Sequence, residues 1–167
     1  KVLQLLSVVV VGIAVALMLI SPELVLIFGS PKYREAVYVI PPVAASVFFI
    51  FIYNILSMPQ FYYEKTQFLM AASMAAAGAN VVLNFIFIRL FGYIAAGYTT
   101  LACYMLYSVG HYIVSKRILV NEGIQENLMS PGFLVACSVF LIGASIICNL
   151  IFPYRILRYA ILLASAG

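Results

Sequence analysis

The sequence predicts an all-α integral membrane protein, a bundle of five complete transmembrane helices with the beginning of a sixth. Of the 167 residues, 66% are hydrophobic and only 8% are charged, whereas a soluble domain carries about 25% charged residues. Five stretches without any charge contain 21, 28, 23, 26 and 28 residues, and about 20 are enough to cross the hydrocarbon core. Apolar runs such as residues 8–11 do not alternate with polar residues, so helices are expected rather than barrel strands.

The expected spans follow the charge-free stretches in order. They cover residues 2–20 with an extension to about 28, then 36–58, 67–88, 93–115, 132–152, and 155 onward for the truncated sixth helix.

The chain is expected to divide at its one long polar connection. Residues 1–118 would form a four-helix portion, 119–131 a polar connecting loop, and 132–167 a terminal helix pair. The third and fourth spans are separated only by residues 89–93, which predicts a tight turn and an antiparallel hairpin.

Two further patterns predict how the helices are shaped and packed. Pro41 and Pro42 fall one turn into the second expected span, where they would produce a kink or, alternatively, a hinge for a moving helix. Small residues recur at spacings of three and four along the third span, which predicts tight packing on a neighbour; they are Ala71, Ala72, Ala75, Ala76 and Ala79.

The net charge of +4 is modest, and the basic residues flank the expected spans. The expected partner is therefore the lipid bilayer and not nucleic acid, although the basic residues are too evenly split between the two membrane faces to fix an orientation. Cys103, Cys137 and Cys148 fall inside expected spans without a CxxC pattern, so neither a metal site nor a disulfide is expected.

Residues suited to catalysis are scarce. The chain has no aspartate, and its five glutamates are expected in connections, without a pair at metal-ligand spacing. Membrane enzymes that handle phosphates usually need carboxylates as bases or metal ligands. We therefore expect no enzymatic activity, catalytic residue, metal or cofactor.

Polar residues inside the spans are the remaining candidates. Asn80 and Asn84 share one helix face and would either join helices or line a hydrated cavity. The fourth span carries Tyr104, Tyr107 and His111 on one broad face, together with Thr100. Tyrosine hydroxyls can bond sugar hydroxyls or phosphate oxygens. His111 could titrate near neutral pH, or it could be a satisfied imidazole at the membrane interface.

Several segments, in this order, resemble the C-terminal part of bacterial polysaccharide flippases of the O-antigen and capsule type. This family belongs to the larger group that includes multidrug and toxic-compound extruders and the lipid II flippase. The resemblance covers roughly residues 20–117 and is carried by FGSPKYREA at 28–36, VIPP at 39–42, FYYEKT at 61–66, NVVLNFIFI at 80–88 and FGYIAAGYTT at 91–100.

The resemblance implies two six-helix lobes that rock to alternate access across the bacterial inner membrane. The substrate would be an oligosaccharide on a polyprenyl pyrophosphate carrier. The chain would supply helices nine to fourteen of about fourteen and would work with the remaining N-terminal part of the same protein. The Glu64-Lys65 and Lys116-Arg117 pairs would be cytoplasmic, and Arg34 and Gly92 external.

The expected substrate path combines these polar residues with a basic residue at each membrane face; the candidates are Asn80, Asn84, Tyr104, Tyr107, His111, Arg34 and Lys65. A drug/cation antiporter of the same superfamily is the nearest rival to the flippase. Ion coupling usually leaves an acidic residue in a span, and the expected spans have none. Two more distant rivals are a membrane enzyme of glycan assembly, which the missing aspartate disfavours, and a non-transporting scaffold, in which Asn80 and Asn84 would serve packing alone.

Overall fold

The computed structural model describes residues 2–29, 31–124 and 128–152, and this part of the chain is all-helical as predicted. The sixth helix expected from residue 155 lies outside the described residues. The elements are α1 Val2–Phe28, a 3-10 helix Pro31–Tyr38, α2 Ile40–Tyr62, α3 Thr66–Phe91, α4 Ala95–Asn121 and α5 Pro131–Ile151.

Four helical stretches are long and apolar enough to cross a membrane; they cover Val2–Phe28, Arg34–Tyr62, Thr66–Phe91 and Pro131–Ile151. The second stretch joins part of the 3-10 helix to α2. α4 is 27 residues long, but its tyrosines and hydroxyl residues make it less apolar than the others. It also continues past residue 115, the expected end of the fourth span, so Lys116 and Arg117 lie within the helix. Five complete spans are therefore not confirmed.

The proline pair begins α2 and does not interrupt it. Pro41 and Pro42 occupy the first turn of α2, after the N-cap residue Val39. The first N–H groups of a helix have no intrahelical acceptor, so proline costs little there. The expectation that the pair lies one turn into an α-helix is wrong, because a 3-10 helix occupies the preceding residues and α2 begins at Ile40.

Helix α2 lies at the centre of the bundle and contacts α1, α4 and α5, while α3 packs chiefly on α4. The core includes Met18 of α1, Phe48 and Ile52 of α2, and Leu141 of α5, each almost fully buried.

The small residues of α3 do not form the predicted tight contact within the described part of the chain. α3 has no buried residue. Ala71, Ala75 and Ala79 are exposed, and no atom lies within 4 Å of a Cβ placed at Gly78. The prediction is wrong because small residues permit close approach without requiring it, and α3 meets α4 through its polar face.

The predicted hairpin of the third and fourth spans is confirmed. α3 ends at Phe91 and α4 begins at Ala95. Between them Gly92 has φ 77°, a left-handed conformation that glycine adopts without a steric penalty, and its N–H donates to the Ile88 carbonyl oxygen at 2.9 Å.

The expectation that all glutamates lie in connections is wrong for Glu23 and Glu35. Glu23 lies inside α1, because that helix continues through Pro22 to Phe28, and Glu35 lies in the 3-10 helix. Glu64 and Glu122 do lie in turns, and Glu126 is outside the described residues. One apolar helix therefore carries a carboxyl group.

All three cysteines are free, as predicted. Cys103 is buried in α4, and Cys137 and Cys148 belong to α5.

Candidate functional site

A polar groove opens between α2, α3 and α4. Its volume is about 460 Å³, within the range of sites that hold small molecules. The polar residues that line it come from all three helices; they are Tyr53, Ser73, Asn80, Thr100, Tyr104 and Tyr107. Asn80, Tyr104 and Tyr107 were predicted as path residues, and the groove brings them together.

The groove forms because α3 and α4 are antiparallel and each carries polar residues at helical spacing. Near one end of the contact, Ser73 Oγ lies 2.6 Å from the Tyr107 hydroxyl. Near the other end, the Thr99 hydroxyl donates to Asn84 Oδ1. The two hydrogen bonds fix the register of the hairpin, and Asn80 lies between them along α3.

Asn80 and Asn84 have different roles. Asn84 Nδ2 donates to Asn80 Oδ1 at 2.8 Å, and Asn84 also accepts from Thr99 of α4, so Asn84 joins the two helices. Asn80 lines the groove, and no acceptor among the described residues takes its amide N–H groups. Asn84 therefore joins two helices, and Asn80 faces the groove.

Tyrosine rings form one wall of the groove. The rings of Tyr53 and Tyr104 are nearly parallel, with centroids 6.3 Å apart and 4° between their planes. Tyr107 meets Tyr53 edge to face at 4.6 Å. The hydroxyls of Tyr53 and Tyr104 have no hydrogen-bond partner within the described ranges, which leaves both able to bind a ligand.

His111 lies behind this wall and does not line the groove. It is fully buried, and its ring packs at 90° against Tyr107 with centroids 4.4 Å apart. Its Nδ1 lies 2.8 Å from Gln60 Nε2. An amide NH₂ group can only donate, so Nδ1 carries no proton in this arrangement and the imidazole is neutral.

Gln60 connects His111 to a second contact between α2 and α4. Its Nε2 also donates to Ser115 Oγ at 3.2 Å, and the Ser115 hydroxyl donates to the Leu56 carbonyl oxygen. Two buried atoms of this cluster, Gln60 Oε1 and His111 Nε2, have no hydrogen-bond partner in the part of the chain that the structure describes.

The two basic candidates lie at opposite ends of α2. Arg34 is exposed in the 3-10 helix before α2, and Lys65 follows its C-terminal end. Lys65 Nζ lies 3.7 Å from Glu122 Oε1, so the α2–α3 turn and the end of α4 are on one side of the bundle. At the other side, the Tyr93 hydroxyl donates to Glu35 at 3.1 Å.

Partial desolvation, followed by the hydrogen bond and the negative charge of Glu35, raises the pKa of the Tyr93 phenol. The phenol therefore stays protonated at neutral pH and keeps this hydrogen bond.

The Lys65–Glu122 ion pair is expected to contribute little to stability. About half of the Lys65 side chain is exposed, and exposed pairs contribute about 0–1 kcal/mol. Lys65→Met should therefore lower the free energy of unfolding by less than about 1 kcal/mol, and the loss should vanish at high salt. Thermal unfolding of the purified full-length protein at low and high salt measures this, with Lys116→Met as the control. A large loss that persists in high salt would contradict the prediction.

Sequence reasoning missed three residues that organise the site and its surroundings. Tyr53 was hidden in an apolar run, and Gln60 was assigned to a connection although α2 extends to Tyr62. Asn149 of α5 donates to the Tyr98 hydroxyl at 2.7 Å and to the Tyr38 carbonyl oxygen at 3.3 Å. A polar side chain isolated in an apolar span was the available signal for Tyr53 and Asn149, because such a group needs a partner in lipid.

Among the described residues, no group of three histidine, cysteine or glutamate side chains is placed to hold a metal ion.

Comparison of the chain with protein-family models, curated proteins and solved structures gives no match.

Proposed function

We propose that this chain is part of a transporter that moves a polyprenyl-pyrophosphate-linked oligosaccharide across the bacterial inner membrane, for surface polysaccharide assembly. The observation that supports this function best is the groove between α2, α3 and α4, where tyrosine, serine, threonine and asparagine side chains converge on about 460 Å³. The resemblance of residues 20–117 to polysaccharide flippases supplies the substrate class.

The chemistry of the groove favours binding over catalysis. Polar groups at membrane depth are costly unless they are paired or hydrated, yet the Tyr53 and Tyr104 hydroxyls have no protein partner among the described residues. Hydroxyl and amide groups of this kind can exchange hydrogen bonds with a passing sugar. Within the described part of the chain no carboxylate lines the groove, so these walls offer no general acid or base of the usual kind.

The proposed architecture assigns α4 as the fourth span, with its polar face turned to the groove and to α2. Residues from 155 onward would begin a sixth span, and the chain would form part of the C-terminal lobe of a two-lobed transporter. The Lys65–Glu122 contact supports placing Lys65 and Lys116-Arg117 on the same membrane face, which would be cytoplasmic. Arg34 and Gly92 would then be external.

One observation favours a second candidate, a drug/cation antiporter. Glu23 lies inside the apolar helix α1 and is half-buried, and carboxyl groups inside spans commonly serve ion coupling. Substrate transport by the two candidates can be separated genetically.

Deletion of the gene in the parent bacterium should abolish the surface polysaccharide, and the full-length gene should restore it. Tyr104→Phe and Asn80→Ala should each reduce the restored polysaccharide by about two- to tenfold, as expected for losing one hydrogen bond of about 0.5–1.5 kcal/mol. Tyr112→Phe is the matched control, because Tyr112 lies on α4 but does not line the groove. Quantitative glycan staining and immunoblots of membrane fractions measure polysaccharide and protein abundance.

If protein abundance falls in parallel with the polysaccharide, the two residues serve packing and the site assignment is wrong. If the deletion leaves the polysaccharide intact but makes cells drug-sensitive, the antiporter replaces the flippase, and Glu23→Gln should then abolish drug resistance.

A further inference from the structure

We infer that the groove binds the uncharged sugar units of the substrate and discriminates against acidic sugars, while the pyrophosphate binds elsewhere. This inference rests on the proposed function and specifies the ligand of the same site. It follows from the charges around the groove and from the chemistry of its walls.

Among the residues that the structure describes, no charged side chain lines the groove, and the nearest basic residues along its helices are distant. Lys65 precedes Ser73 by eight residues, Arg89 follows Asn80 by nine, and Lys116 follows Tyr107 by nine. At a rise of about 1.5 Å per residue, each separation is roughly 12–14 Å along the helix. A long side chain does not bridge that distance, so none of the described residues would give an anion in the groove a direct counter-charge.

His111 does not supply a positive charge to the groove. It is the one histidine of the chain, and its Nδ1 accepts from Gln60, so it is neutral in this arrangement. The Tyr107 ring lies against it, and His111 is absent from the groove wall.

The walls instead match a neutral sugar. A pyranose ring presents apolar C–H faces and equatorial hydroxyls, and a tyrosine offers both an apolar ring and a polar hydroxyl. Tyr53 and Tyr104 supply two such rings, and the Asn80 amide and Thr100 hydroxyl add hydrogen-bonding groups. A carboxylate placed here would lose water without gaining a positive partner, which is costly.

Binding to the purified full-length protein in lipid nanodiscs tests the inference. Three synthetic probes share a farnesyl pyrophosphate carrier: one without sugar, one with a neutral trihexose, and one in which a hexose of that trihexose is a hexuronic acid. We expect the neutral probe to bind at least about tenfold more tightly than the acidic one, which corresponds to about 1.4 kcal/mol. Tyr104→Phe should weaken binding of the neutral probe about two- to tenfold and leave the sugar-free probe unchanged. Tyr112→Phe should affect neither.

A gain-of-function variant tests the charge argument directly. Ala77 is exposed and lines the groove, so Ala77→Lys adds a cation there without disturbing the core. It should reduce or reverse the preference for the neutral probe.

One outcome would overturn this inference and leave the flippase proposal standing: the neutral and the acidic probe bind with equal affinity, and both bind more tightly than the sugar-free carrier. An unchanged preference in Ala77→Lys, or an equal effect of Tyr104→Phe and Tyr112→Phe, would also overturn it. If glycan probes bind no better than the carrier and proteoliposomes fail to flip them, the proposed function itself is refuted.

Discussion

Replacing Gly97 by alanine is expected to destabilise the bundle by about 1–3 kcal/mol, as overpacking of a tight contact does. A Cβ at this position would lie 2.8 Å from Pro42 Cγ and 3.0 Å from the Val39 carbonyl oxygen. Pro42 Cγ can shift only within the range of its ring pucker, and the Val39 carbonyl oxygen belongs to the backbone, so the contact is not relieved by turning a flexible side chain. Gly97→Leu should be more damaging still, because its larger side chain would enter the same space.

The expected loss is large because of where Gly97 lies. It belongs to the first turn of α4 and faces Pro42 and Val39 at the start of α2. α2 and α4 share the most extensive helix contact in the described part of the bundle. Separating them at this end would also disturb the groove, which both helices line.

Gly78→Ala is the matched control, since Gly78 lies within α3 and no atom is found within 4 Å of its added Cβ. Alanine is favoured over glycine in a helix by about 1 kcal/mol, so this variant should be neutral or more stable. Thermal unfolding of the full-length protein in detergent compares the two. Equal unfolding temperatures for Gly97→Ala and Gly78→Ala would contradict the close contact.

The existence and approximate position of the described helices could be predicted because they depend on local composition. Charge-free stretches must be helical to cross lipid, and the short connection around Gly92 leaves α3 and α4 no arrangement other than a hairpin. Helix ends were less predictable. Pro41 and Pro42 are acceptable in a first turn and disruptive one turn later, and the sequence does not show which residue begins the helix.

The pairing of helix faces could not be read from the sequence, because it depends on tertiary contacts. The alanines of α3 suggested a packed face, yet in the described structure it is the opposing polar face, through Ser73 and Asn84, that meets α4. Helical spacing placed Asn80 on the same face as Asn84, and Tyr104 on the same face as Tyr107, but it could not show that Asn80, Tyr104 and Tyr107 line one groove. Tyr53 was missed because it is contributed by a third helix whose orientation the spacing does not fix.

The buried contact between Gln60 and His111 leads to the second prediction of large effect. Gln60→Leu would remove the donor to His111 Nδ1 and to Ser115 Oγ. A buried polar atom left without a partner costs about 1–3 kcal/mol, so the single variant should lose stability in that range. His111→Leu alone should also be destabilising, because the Gln60 amide would then lose an acceptor.

The double variant Gln60→Leu/His111→Leu should recover most of this loss. In the described structure the native pair already leaves Gln60 Oε1 and His111 Nε2 without hydrogen-bond partners, and replacing both members of a buried polar pair by apolar groups is often nearly neutral. Unfolding of the full-length protein in mixed micelles with increasing SDS measures all three variants, and Ser108→Ala serves as a control for a buried α2–α4 hydrogen bond that leaves His111 intact. Additive losses in the double variant would show that the two residues do not act as a pair. Recovery would show that this contact stabilises α2 against α4 no better than apolar packing would.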